Sequence, residues 1–305
     1  MGNVFEGSLF SKQPKQFEKI NSQAKAFAAN YCGSSIIRDS IFGIVSNYAR
    51  KRELSLEILR YPFKDDELWA FTFVKKDTLF LCVNSELAIC KQIFAVAHEL
   101  YHIHCYAEDI DPDTITCGSL LDSKTVDDLA VSKEDLEANA FAGLILMPDS
   151  MLDEQLKLYG IVGEKITVDD VLTLMDLFAL PYKAVVLRLA ENHNITPAKT
   201  KELLMVDATF VSERITLTGK ALGWQQDSRE LSYFGSLLDD MEYNSENDLL
   251  TDSREDSDKQ YLERIKKEFR KESYGRTTSG GRWLCADRSG TETAYDKRKI
   301  CSSGY

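Results

Sequence analysis

The sequence predicts an α+β fold, in which a small antiparallel sheet packs against a pair of helices, further helices follow, and an acidic tail closes the chain. Three observations predict it. Apolar residues recur at helical spacing over most of residues 22–204. One stretch, from Leu54 to Val83, alternates instead and is rich in β-branched and aromatic residues. Composition then shifts after about residue 205 toward acids, Gly and Ser.

In chain order, "SQAKAFAANY" (22–31) and "SIIRDSIFGIVSNYARKR" (35–52) read as two helices. "LSLEILRYPF" (54–63) alternates as a strand does. Leu68–Val74 and Thr78–Val83 flank the polar "KKD" and read as a β-hairpin. A helix spans about Glu86 to Cys105, followed by an acidic, loop-like stretch over 106–131 with Pro112 and Gly118. "SKEDLEANAFAGLILMP" opens the next helix, with Ser132 as N-cap and Asp135 placed as in a capping box; Pro148 ends it. Further helices read over about 151–158, 167–178 and 182–193, with a short one from Thr196. Nine acids and a single base, Arg254, lie between Asp239 and Asp258, a composition that stays solvated. "YLERIKKEFRKE" suggests a basic helix, and the residues behind it suggest little structure. Three segments result: an N-terminal helical segment (1–50), a core with a helical C-terminal part (51–205) and an acidic, low-order tail (206–305).

The net charge of −12 disfavours a general binder of nucleic acid or anionic membrane, because phosphate affinity needs an excess of Lys and Arg. The N-terminus has no apolar run of signal-peptide length, no apolar run reaches membrane-spanning length, and Glu6 stands where an N-terminal acylation motif wants Ser or Thr. The seven cysteines are scattered without a CxxC, the pattern of a reduced chain. A cytoplasmic location is therefore expected.

"AVAHELYHIH" (95–104) carries the chemistry. Positions i and i+4 share a helix face, so His98 and His102 can point at one ion. Glu99 lies about 100° further round, close enough to hold a water on that ion. Neutral imidazoles suit zinc, which brings the pKa of its water toward 7. The surrounding helix is apolar on nearly every face, and two imidazoles and a carboxyl buried there are costly without a shared partner. A third ligand is needed. Gly and His do not occur where a longer His-rich motif would place them; Cys105 and Glu108 stand there. On the next helix Phe141, Leu144 and Ile145 mark a buried stripe, and Glu137 lies four residues before Phe141 on that stripe. Glu137 is thus the expected third ligand, with Glu134 in reserve. Glu134 and Asp135 have another explanation, since the first turn of a helix favours acids.

"FAVAHELYHI" followed some thirty residues later by "EANAFAGLILMP" resembles the ImmA/IrrE family of zinc metallopeptidases. The strand "TLFLCVN" before the first motif and "LFALPYKAVVLRLAENHNI" behind the second fit the same resemblance, which covers about residues 55–200. It implies a compact, zincin-like metallopeptidase core, one Zn2+ per chain on His98, His102 and Glu137, and Glu99 as general base. Tyr101 departs from the pattern, which usually has Gly there. Candidates for the donor to the oxyanion are His193, His104 and Tyr101.

The resemblance also implies a protein substrate, since family members commonly act on helix-turn-helix repressors and so derepress their targets. The competing readings are an anti-repressor or toxin–antitoxin partner that acts by protein binding without proteolysis, and a DNA-binding regulator. The last would use "VLTLMDLFALPYKAVVLRLAENH", whose second helix holds only Lys183 and Arg188 as bases.

Overall fold

The structure is a computed structural model and describes residues 8–33, 36–61, 68–75, 77–108, 133–226, 251–257 and 259–260. The chain opens with a short helix, α1 (Leu9–Lys12), capped by the Ser8 hydroxyl. A long helix follows, α2 (Pro14–Tyr31), with its proline at the first turn, where a missing N–H costs nothing. It starts well before residue 22, because "PKQFEKI" is polar but places Phe17 and Ile20 inward. A 3₁₀ turn (Arg38–Ser40) leads into α3 (Ile41–Lys51).

Three strands come next: β1 (Ser55–Tyr61), β2 (Ala70–Lys75) and β3 (Thr78–Asn84). The hairpin read from the sequence is present as antiparallel β2 and β3, with Lys75 opposite Thr78 and Asp77 taking the positive φ that a tight turn needs. The sheet is nevertheless mixed and not antiparallel throughout. Its order is β1-β3-β2, and β1 runs parallel to β3. Ile58, Leu81 and Thr72 share one register row and are buried, so that face of the sheet is the inner one.

Helix α4 (Ile89–Ala107) packs on the sheet, and α5 (Lys133–Leu146) lies beside α4, with α2 along its other side. Both α4 and α5 are apolar almost all round, which suits helices enclosed by neighbours. The expected acidic loop lies outside the described residues from 109 to 132, and so does the Ser132 N-cap. Pro148 ends α5 and begins α6 (Asp149–Leu158). The remaining helices follow the sequence reading: α7 (Val168–Phe178) with a Thr167–Asp170 capping box, α8 (Tyr182–Glu191) and α9 (Pro197–Leu204) capped by Thr196.

The expectation of a low-order tail from residue 206 is corrected over 206–226. Helix α10 (Ala208–Thr218) is capped by Asp207, buries Val211 and Ile215, and stops at Gly219, whose φ of 71° is one that glycine adopts without strain. A 3₁₀ turn (Leu222–Gln225) then seats Trp224, whose indole N–H donates to the Asp176 carbonyl at 2.9 Å. Gln226 O accepts from Ile89 N at 3.0 Å and so satisfies the first turn of α4, which has no side-chain cap. Residues 252–257 form a helical turn within the acidic run. The expected basic helix from Tyr261, and everything after it, lies outside the described residues.

One buried arginine ties the core together. Arg188 on α8 donates to the Met147 carbonyl at 3.1 and 3.2 Å, to Asp149 at 2.6 Å and to Glu191 at 2.8 Å. It fills the space left by Gly143 on α5, where an added Cβ would lie 2.8 Å from Arg188 Cδ.

Candidate metal centre

His98 and His102 stand one turn apart on α4, and their Nε2 atoms are 3.3 Å apart. Asp135 on α5 completes a group, its Oδ1 lying 3.7 Å from His98 Nε2. The ligand atoms of His98, His102 and Asp135 all lie within 4.8 Å of one another. Asn139, one turn after Asp135, presents its Oδ1 to His98 Nδ1 at 2.9 Å. An amide oxygen only accepts, so His98 Nδ1 donates to it and Nε2 is the ring nitrogen turned toward the group. This arrangement of a side-chain carbonyl behind a histidine is how ligating imidazoles are commonly oriented.

The donor set fits a tetrahedral cation. Two nitrogens bound at about 2.0–2.1 Å with tetrahedral angles lie roughly 3.3–3.4 Å apart, which matches the Nε2 separation. Glu99 Oε2 is buried and lacks a hydrogen-bond partner among the described residues, unsatisfied polarity that a water held beside an ion relieves. Burial, with the His98 charge beside it, pushes the His102 imidazole down to about 4, so it is in its neutral, ligating form at pH 7. Burial also lowers His98, but Asp135, Glu99 and Asn139 outweigh it and raise the imidazole above its ordinary value. Burial raises the Glu99 carboxyl, opposed in part by His98 and Thr72. A carboxyl moved up toward neutrality is suited to carrying a proton to and fro.

Glu137, the carboxyl expected to be the third ligand, is not brought to the histidines. Its Oε2 accepts from the Tyr101 hydroxyl at 2.7 Å and its Oε1 from Gln16 Nε2 at 2.9 Å, with Lys133 Nζ at 3.5 Å. Helix geometry explains this placement. Residues two apart are rotated by about 200°, so a face that turns Asp135 and Asn139 to His98 turns Glu137 away. Glu134, the reserve, is exposed in the first turn and outside the group. Asp135 was legible only as a helix-start acid, and the signal for it is its i, i+4 pairing with Asn139.

The three oxyanion candidates are engaged elsewhere. His104 Nδ1 bonds the Tyr48 hydroxyl at 2.8 Å inside an aromatic cluster with Phe27 and Phe141. The His193 ring packs on Phe10, and Tyr101 donates to Glu137. Burial and the neighbouring Cys105 and Glu137 push the Tyr101 phenol far above its ordinary value, so it remains a donor.

A compact α+β core with two helix-borne histidines, an adjacent buried glutamate and a carboxylate from a second helix defines a metallopeptidase-type site. Residues 51–190 match the family model Peptidase_M78, described as IrrE N-terminal-like domain, in agreement with the resemblance to the ImmA/IrrE family. No curated protein matches the chain.

Proposed function

We propose that this chain is a zinc-dependent endopeptidase that cleaves a protein, a helix-turn-helix repressor, and thereby causes derepression. The observation that carries the reading is the convergence of His98, His102 and Asp135 beside the buried Glu99. His98, His102 and Asp135 hold one zinc ion per chain in this reading, with Asp135 taking the place first expected for Glu137. When bound, zinc supplies the Lewis acidity that activates a water and polarises the scissile carbonyl. Glu99 takes the proton from the attacking water and delivers it to the departing amine. Asn139 holds His98 in the tautomer that leaves Nε2 free to bind.

A cytoplasmic location is part of the proposal and is supported by Cys32, Cys82, Cys90 and Cys105, which are all free thiols. Among the described residues, no helix is long and apolar enough to cross a membrane. Nucleic acid is disfavoured as a partner, because Arg188 is committed to a buried ion-pair cluster and only Lys183 of the two bases on α8 is exposed.

The test is incubation of the full chain with the helix-turn-helix protein encoded beside its gene, with and without a chelator. Chelator-sensitive cleavage into defined fragments is the expected result. Stable association without cleavage, in zinc-loaded protein, would establish the binding-only anti-repressor or toxin–antitoxin reading instead.

A further inference from the structure

Beside the metal group, a second set of hydrogen bonds links α4 to α5 and continues to α2. Tyr101 lies on α4 one position before His102, is 5% exposed, and donates to Glu137 Oε2 at 2.7 Å. Glu137, 8% exposed, sits midway between Asp135 and Asn139 on α5 and accepts from Gln16 of α2 at 2.9 Å. Both oxygens of a buried carboxyl are thus occupied by donors from two other helices. The Tyr101 ring is wedged in the same contact, 5.4 Å from the Phe141 ring one turn along α5. Phe17, the residue after Gln16, is buried and anchors the start of α2. Helix α2 lies outside residues 51–190, the segment matched by the family.

We propose that Tyr101, Glu137 and Gln16 form a clasp that fixes α5 against α4 and so holds Asp135 and Asn139 in register with His98 and His102. Tyr101 and Glu137 are positioning residues, and α2 is a working part of the site's support. The metal group depends on two helices keeping one relative placement, because the histidines come from α4 and the carboxylate from α5. A slip of about 1 Å between them is enough to spoil a ligand set whose bond lengths are fixed to within about 0.2 Å. The clasp opposes that slip from the side of the helices away from Asp135. It also accounts for the tyrosine where the family pattern usually has Gly, since only a long donor spans from α4 to Glu137.

The proposal rests on the reading of His98, His102 and Asp135 as the metal centre, and its test separates the two. Purified full-length protein is titrated with Zn2+ against a chromophoric chelator, and with Co2+ while its visible spectrum is followed. The parent should take up one ion. Tyr101→Phe and Glu137→Ala should each weaken retention by about 10- to 100-fold and shift the cobalt bands, as loss of groups that orient ligands does. Gln16→Ala should act in the same direction and more weakly. The Tyr101→Phe/Glu137→Ala double variant should bind no worse than the weaker single one, because both break one link. Glu137→Gln keeps an acceptor for Tyr101 and should restore most of the affinity. Tyr101→Phe removes one hydroxyl and carries the test by itself if Glu137→Ala does not fold. The clasp is overturned if the parent loads while Tyr101→Phe and Glu137→Ala bind as tightly with unchanged cobalt bands, or if the double variant shows additive losses. It is overturned equally if Glu137→Gln loses metal as completely as His98→Ala, which would make Glu137 a ligand. A parent that takes up no ion overturns the metal centre itself.

Discussion

Asn139 Oδ1 lies 2.9 Å from His98 Nδ1, one turn of α5 beyond Asp135, so a single helix face both orients the imidazole and offers the carboxylate. Asn139 is itself exposed, so removing its amide should leave the fold alone. Asn139→Ala should weaken metal retention by about 10- to 100-fold with no change in the unfolding midpoint of the metal-free protein. Chelator competition and urea unfolding measure the two. Unchanged retention would show that His98 is oriented by something else.

Asp135 should be the carboxylate whose loss empties the site. Asp135→Ala is expected to purify with less than one tenth of the parent's metal, since a charged ligand is gone from a three-ligand set. Glu134→Ala, which changes an exposed acid outside the group, should keep it. Elemental analysis of the two variants side by side decides. The reverse pattern would return the ligand role to the first turn's other acid.

How far this was legible in the sequence differs by element. The period of α4 and the alternation of β2 and β3 are local signals, and both elements appear where the pattern placed them, within a few residues. That His98 and His102 meet on one face of α4 follows from helix spacing. Which neighbour β1 pairs with is a tertiary choice that alternation does not encode, and hence the parallel β1–β3 pairing went unseen. That Asp135 and not Glu137 stands by the histidines was hidden for a physical reason. Helix α5 is buried from Leu136 to Leu146 except at Asn139, so a search for acids on a buried stripe finds the carboxyl that packs and not the half-buried one beside the histidines. The C-terminal helix α10 was missed because its inward residues, Val211 and Ile215, are few and its remaining face is polar.

Gly143 is required by Arg188. A methyl at that position would lie 2.8 Å from Arg188 Cδ, and the guanidinium is held at Met147, Asp149 and Glu191, so the side chain has no cheap way to move. Gly143→Ala should destabilise the protein by about 1–3 kcal/mol, the ordinary cost of overpacking. Urea unfolding reads it, and an unchanged midpoint would contradict the account.

The segment 206–226 belongs to the folded unit. A chain ending after residue 226 should unfold at the parent's urea concentration. One ending after residue 205 should lose at least about 2 kcal/mol, from the burial of Val211 and Ile215 and the seat of Trp224 on α7. Equal stability of the two truncated chains would show that α10 contributes nothing.

In the proposed function, the residues around Glu99 perform hydrolysis and do more than bind. Glu99 is 2% exposed beside the metal group and outside it. Glu99→Gln preserves shape and removes the base. The measurement is cleavage of the repressor by Glu99→Gln with its metal content determined on the same sample. One zinc per chain is expected, as in the parent, with the cleavage rate lower by about 10² to 10⁴. A fully loaded Glu99→Gln protein that cleaves, or that derepresses in cells as strongly as the parent, would contradict it.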